Sequence, residues 1–209
     1  MPVKDCKTEH HIRETAKRIF FKEGKMRATT QDIADAAGVN RTLLHYYFRS
    51  RDALFTAVFQ EAFQKLRQGL HAAIESQEPF RQKLESFINA YFDQLVEAPY
   101  LETFLVLQLA QDPGKYEELF IKMPGGEDRI QRFLAEIQSE MDKGTIPPMD
   151  PVQFYMSLFG LMAYPLLARP IYQNLFHLDD ATFDRLYKER KKLILSLVFP
   201  ERAPAPSGH

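Results

Sequence analysis

The sequence predicts an all-α fold, and three observations carry that prediction. Apolar residues recur at intervals of three and four along nearly the whole chain. Glycines, prolines and short polar residues fall between these stripes, where helices start and stop. No stretch alternates apolar and polar residues as a half-buried strand does. The stripes number about nine, one for each expected helix.

Taken in order, Ile12, Ala16, Ile19 and Phe20 line one helix face, and Gly24 ends that helix. Thr29 or Thr30 caps a short second helix with Ile33, Ala34 and Ala37 on one side. Gly38 breaks the chain, as a tight turn between two helices needs. Asn40 caps a third helix that carries Leu44, Tyr47 and Phe48 inward. Ser50 and Asp52 open a long fourth helix, with Leu54, Val58 and Phe59 on its apolar side.

The later stripes are longer. Leu84, Phe87, Ile88, Tyr91, Phe92 and Leu95 make one, ended near Pro99. Leu101, Phe104, Leu105 and Gln108 make the next, ended by Asp112 and Pro113. Ile130, Phe133, Leu134, Ile137 and Met141 follow, up to Gly144. Asp150 and Pro151 start a helix running to about Ala168. Asp179 or Asp180 starts the last, with Phe183, Leu186, Tyr187, Leu193, Ile194 and Leu197 as its apolar set. The tail 201–209, with Pro204 and Pro206 among small and polar residues, reads as disordered.

The totals narrow the function. With 209 residues and 45% hydrophobic composition, the chain has enough apolar mass for a sizeable core and too much for a disordered protein. One cysteine, Cys6, leaves no intrachain disulfide, which fits a reducing, cytoplasmic setting. Charges interrupt the first residues where a secretion signal would need an apolar core. The uncharged residues Met156 to Ala168 are too few to span a bilayer, so no membrane partner is expected. Residues 1–55 carry 11 Lys and Arg against 7 Asp and Glu, while the rest carries 16 against 21. A basic first quarter on an acidic body points the N-terminal part toward a polyanion.

Enzyme signatures are missing. The sequence contains no Gly-x-Ser-x-Gly, no His-Glu-x-x-His and no phosphate-binding loop. Cys6 and His10 could share a helix face, but two ligands do not make a structural zinc site. The expectation is a non-enzyme with no cofactor and no metal.

Residues 30–48 have the grammar of a helix-turn-helix. Ala34 is small where two helices approach, Gly38 turns, and Val39 plugs the core behind the turn. On the third helix, Thr42, His45 and Tyr46 lie opposite Leu44, Tyr47 and Phe48, with Arg41 and Leu43 on the flanks. Short polar, aromatic and basic groups on one exposed face are what reading a DNA groove requires. Tyr47 reads first as a core residue with its hydroxyl at the surface.

The wider window is more specific. Ile19-Phe20, Gly24, the string Thr29-Thr30-Gln31-Asp32-Ile33-Ala34-Asp35-Ala36-Ala37-Gly38-Val39-Asn40, and then Tyr47-Phe48-Arg49-Ser50-Arg51-Asp52-Ala53-Leu54 closely resemble the N-terminal domain of TetR-type transcriptional regulators. The resemblance runs without gaps over roughly residues 10–60. It implies a homodimer on a double-stranded DNA operator, with a helical body that binds a small-molecule effector and controls DNA affinity. Carried over by position, Thr30 and Gln31 lie near phosphate. Arg41, Thr42, Leu43, His45 and Tyr46 face the major groove, and Tyr47 and Arg51 touch the backbone. Arg51 stands where the family usually has Lys. Thr42, Leu43, Leu44 and His45 depart from the Gly/Pro-Thr-Leu-Tyr of many relatives, which leaves the operator sequence open.

The expected division is a helix-turn-helix DNA-binding domain at 1–55, a helical effector-binding and dimerisation domain at 56–200, and the tail. Polar residues Tyr91, Gln108, Tyr155 and Arg169 interrupt apolar faces of the body. Each is either satisfied by a protein group or orients a ligand within a cavity. Phe104, Met123, Met156, Phe159 and Met162 are candidate walls, and such surroundings suit a largely apolar effector. The last two long helices, about 150–168 and 180–198, are the dimer candidates, because Gly160 and Ala163 would permit close approach. The expected function is a ligand-responsive repressor. An activator or sensor on the same scaffold, or a helical enzyme or adaptor with a vestigial reading head, is the alternative.

Overall fold

The structure is a computed structural model that describes residues 5–114 and 126–200. Among the described residues it has ten α-helices and no strand. They are α1 (Cys6–Lys17), α2 (Thr30–Ala36), α3 (Arg41–Tyr47), α4 (Arg51–Glu75), α5 (Phe80–Glu97), α6 (Leu101–Gln111), α7 (Gly126–Asp142), α8 (Pro151–Leu167), α9 (Arg169–Phe176) and α10 (Asp180–Val198). A π-helical turn, Arg18–Lys22, continues α1. The chain divides into two compact units, Met1–Ala72 with Asp93–Gln111, and Ala73–Phe92 with Asp112–His209. The boundaries fall inside α4 and α5, so each of these helices serves both units.

The first unit is built around aromatic residues. Ile12, Ala16, Phe20, Phe21, Ile33, Ala34, Leu44, Leu54 and Val58 are fully buried. Phe20, Phe21, Phe55 and Phe104 form one cluster, with Phe21 edge-on to Phe104 at 5.5 Å and Phe20 edge-on to Phe55 at 5.2 Å. Such contacts add roughly 0.5–1.5 kcal/mol per pair beyond simple burial. Gly24 sits at φ +67 against Tyr100, whose ring lies 2.7 Å from where a Cβ would stand. The Tyr100 amide donates to the Phe21 carbonyl at 2.9 Å. The loop after the π turn is therefore seated on the start of α6.

The second unit has its own core of Phe87, Ile88, Tyr91, Phe92, Phe133, Ile137, Leu158, Met162 and Ile194. Lys83 is nearly buried and meets both Glu136 carboxylate oxygens at 2.7 and 2.9 Å. α8 begins on Asp150, which accepts from the Val152 and Gln153 amides, with Pro151 at the first position. Pro165 lies inside α8 and removes the amide that would bond the Leu161 carbonyl. Arg190 fills that role, donating Nε and Nη2 to Leu161 at 3.2 and 3.0 Å. Tyr187 donates to the Met162 carbonyl at 2.9 Å. The proline is tolerated because α10 replaces the lost donor.

Three expectations change. The segment after Ala168 is not a plain connection: it folds into α9, bent by 66° from α8. No single helix among the described residues is long and apolar enough to cross a membrane; the bent pair α8–α9 passes only when joined. Of the apolar set expected on α10, Phe183, Tyr187 and Ile194 are buried, while Leu186, Leu193 and Leu197 face outward. Met156, expected as a cavity wall, is 61% exposed. The periodicity was broad enough for two faces, and only packing shows which one the monomer uses.

Candidate nucleic-acid interface

The residues that carry the helix-turn-helix are locked by local chemistry. Thr29 caps α2 reciprocally: its hydroxyl oxygen accepts from the Asp32 amide at 3.2 Å, and the Asp32 carboxylate accepts from the Thr29 amide at 2.8 Å. At the other end, Gly38 adopts φ +64. Its amide donates to Asp35 and that of Val39 donates to Ala34, which closes α2 with the two bonds of a left-handed cap. A Cβ on Gly38 would meet nothing within 4 Å, so the glycine answers to backbone angle and not to space. Asn40 then caps α3 through the Leu43 amide at 2.7 Å. The angle between α2 and α3 is thus set by residues 29–43 themselves.

Hydrogen bonds to Thr29 hold the Asp32 carboxyl below the usual aspartate range. A carboxylate whose folded pKa is depressed stabilises the fold above its unfolded pKa, and loses that contribution as pH falls through the folded value. Asp32→Asn is expected to lower the thermal midpoint at pH 7 and to flatten its fall between about pH 5 and 3. Parallel acid limbs for the two proteins in calorimetry would remove the assignment.

α3 buries Leu44 fully and rests on Phe48 at its C-cap. The opposite side is open: Arg41, Thr42 and His45 are exposed and Tyr46 is 42% exposed. Leu43 is half-buried. Tyr46 and Tyr47 stand edge to face at 5.3 Å. Thr30 is half-buried at the start of α2, and Gln31 is exposed, with its side-chain amide on Asp35 at 2.7 Å.

Two expected backbone ligands have work inside the protein. The Tyr47 hydroxyl accepts from the Asp5 amide at 3.0 Å and donates to the Asp5 carbonyl at 3.3 Å, so it ties the start of α1 to the end of α3. Arg51 turns toward the loop before α2. Its Nε donates to the Ala28 carbonyl at 2.7 Å, its Nη2 to the Met26 carbonyl, and its guanidinium lies over the Phe20 ring. An arginine reaches both carbonyls because its donors form a fixed fork, which a lysine lacks. The sequence reading also missed His11, whose Nε2 donates to the Ala37 carbonyl at 3.1 Å and holds α1 to the turn.

The described effector candidates divide between the two units. Tyr91, Tyr155 and Phe159 do meet: Phe159 lies 5.4 Å from Tyr91 and 4.7 Å from Tyr155. Met162 is fully buried and belongs to the same unit. Phe104 and Gln108 belong to the other unit, Phe104 within the aromatic cluster of the π turn, α4 and α6. Arg169 pairs with Asp180 and Asp184, each at 2.8 Å, and covers the Phe183 ring. Met123 and the tail 201–209 lie outside the described residues. Among the described residues, no group of three or more His, Cys, Asp or Glu is placed to hold a metal ion.

Comparison with known proteins points in one direction. The family of bacterial regulatory proteins, tetR family, matches residues 12–58. The HTH-type transcriptional activator FasR of Mycolicibacterium smegmatis is 33% identical over 78 residues, 37% of this chain and 36% of that protein. The probable acrEF/envCD operon repressor of Escherichia coli is 33% identical over 84 residues, 39% of this chain and 38% of that protein. The chain therefore spans little more than a third of either relative. The TetR family transcriptional regulator PfmR of Thermus thermophilus has the same fold at a TM-score of 0.62 and 19% identity, over 91% of this chain and 99% of that one.

Proposed function

We propose that this chain is a TetR-type DNA-binding transcriptional regulator, and that it is a repressor that leaves its operator when an apolar effector binds. The observation that carries the DNA-reading part is the open side of α3. Arg41, Thr42, His45 and Tyr46 are exposed on a helix whose other side is anchored by Leu44, with both of its approaches capped. Thr42, Tyr46 and the flanking Leu43 are placed to meet base edges and thymine methyls, and Arg41 and His45 to meet bases or phosphate. Thr30 and Gln31 stand by the backbone, joined by Tyr47 and by the Arg51 donors left over from the loop carbonyls.

A two-fold dimer would set two copies of α3 in successive major grooves, roughly 34–36 Å apart. Support for the dimer comes from α8 and α10. Val152, Met156, Tyr164 and Leu167 on α8, with Leu186, Leu193 and Leu197 on α10, are exposed large apolar residues. Large apolar residues exposed together on two packed helices are the kind of surface a partner subunit covers. The functional division proposed is 1–55 for DNA and 56–200 for effector and partner. For the effector, Tyr91, Tyr155 and Phe159 supply two hydroxyls among aromatic rings, a setting suited to an apolar or aromatic molecule. The effector can act only through its difference in affinity for the two head spacings.

Repression follows from occupancy of the operator, and a curated relative is named a repressor. FasR is named an activator, which favours the second reading, activation from the same scaffold. A gel shift against DNA flanking the protein's own gene tests the proposal. Arg41→Ala should weaken binding about tenfold or more, and Thr42→Ala should change the preferred sequence. DNA binding that ignores both substitutions would refute the α3 assignment. A reporter that rises on deletion of the gene supports repression, and one that falls supports activation.

A further inference from the structure

Ten of the sixteen exposed large hydrophobic residues among those described lie on α8, α9 and α10. α9 is the unusual member. From Pro170 to Phe176 it carries no charge, and none of its residues is buried. It is nevertheless held firmly in place. Arg169 at its start is bonded to Asp180 and Asp184, Gln173 donates to Asp180 at 2.8 Å, and the Leu178 amide closes on the Gln173 carbonyl at 2.9 Å. A short apolar helix fixed on the surface by polar bonds at its edges, with none of its own residues buried, leaves its apolar side chains open to be covered by something else.

Its two sides differ. Tyr172 and Phe176, stacked at 6.2 Å, border a groove of about 610 Å³ between α8, α9 and α10. Tyr164, Pro165, Leu178, Leu186 and Leu193 complete much of the lining. Ile171 and Leu175, one turn apart on α9, are 62% and 64% exposed. An apolar hole and an apolar ridge thus lie side by side on one surface.

That arrangement is self-complementary under a two-fold axis, where the same patch must serve both subunits. We propose that Ile171 and Leu175 of each copy enter the groove of the other, making α9 a third element of the dimer interface. This rests on the α8–α10 dimer reading above. The occupant is argued from continuity: Tyr164, Leu186 and Leu193 both line the groove and belong to the exposed α8–α10 patch. The uncharged α9 ridge also matches a lining that is mostly apolar, with Glu189 and Arg190 its charged members. A membrane surface fits less well, because interfacial helices carry Lys or Arg on their polar face and α9 between Pro170 and Phe176 has none.

The test is sedimentation velocity over a dilution series on the full chain and on the double variant Ile171→Ser, Leu175→Ser, with Val96→Ser as an exposed control in the other unit. Two exposed residues should not disturb folding, which circular dichroism checks. The double variant is expected to raise the dimer dissociation constant about 100-fold or more, and the control to leave it within a factor of about two. Backbone amides 171–178 of the unaltered protein should also exchange more slowly at dimer than at monomer concentrations. An unchanged constant for the double variant in a protein that is otherwise dimeric overturns the α9 role alone. An unaltered protein that stays monomeric at tens of micromolar overturns it together with the dimer reading.

Discussion

Phe21→Ala is expected to cost about 3–5 kcal/mol of stability, enough to unfold a marginal domain. Phe21 is fully buried and touches the rings of Phe20, Phe55, Phe59 and Phe104, so it joins the π turn to α4 and α6 at once. Removing it leaves a cavity among side chains too rigid to close it, and the penalty adds cavity cost to lost burial. Phe21→Leu keeps most of the volume and should cost under about 1.5–2 kcal/mol. Urea unfolding followed by far-ultraviolet circular dichroism measures both. A loss below about 1 kcal/mol for the alanine variant would show that the cluster does not hold this unit together.

On the proposed α8–α10 dimer, Gly160→Glu is expected to abolish dimerisation and operator binding with it, while leaving the monomer intact. Gly160 is exposed on α8, and a Cβ there would meet nothing within 4 Å. Within one subunit the change even favours the helix, by up to about 1 kcal/mol, since glycine is a poor helix former. Across a two-fold seam it places two carboxylates against apolar residues with no partner, a cost of several kcal/mol for each buried charge. The dimer dissociation constant should rise by roughly a thousandfold or more, and binding to a two-half-site operator should fall with it. Light scattering and a gel shift at matched concentration read the two effects. A variant that stays dimeric and keeps its operator affinity would place the interface elsewhere.

Much of the reading head could be taken from the sequence because its determinants are local. Thr29 and Asp32, Gly38, and Asn40 act within three or four residues of where they stand. The face opposite Leu44 follows from the helical period alone. The same locality explains what was missed. Arg51 reads as a backbone ligand in any string, but its bonds to the Ala28 and Met26 carbonyls left no signal, because they come from a loop more than twenty residues away. Arg190 gave no signal at all, because the carbonyl it serves is freed by Pro165 on another helix. α9 did leave a trace, Pro170 followed by Ile171, Tyr172, Leu175 and Phe176 at helical spacing, but its shortness hid it within a connection.

The sequence alone determined the helical class, the positions of the reading-head caps and turn, and which side of α3 stays open opposite Leu44, since each depends on neighbours a turn or so apart. Only the tertiary structure decided which of two apolar faces each C-terminal helix keeps for its own core. It alone showed that Leu186, Leu193 and Leu197 are left outside, and that Arg169 is spent on Asp180 and Asp184. The hydrophobic period says that a face seeks cover but not what covers it, because that depends on groups brought together from distant parts of the chain.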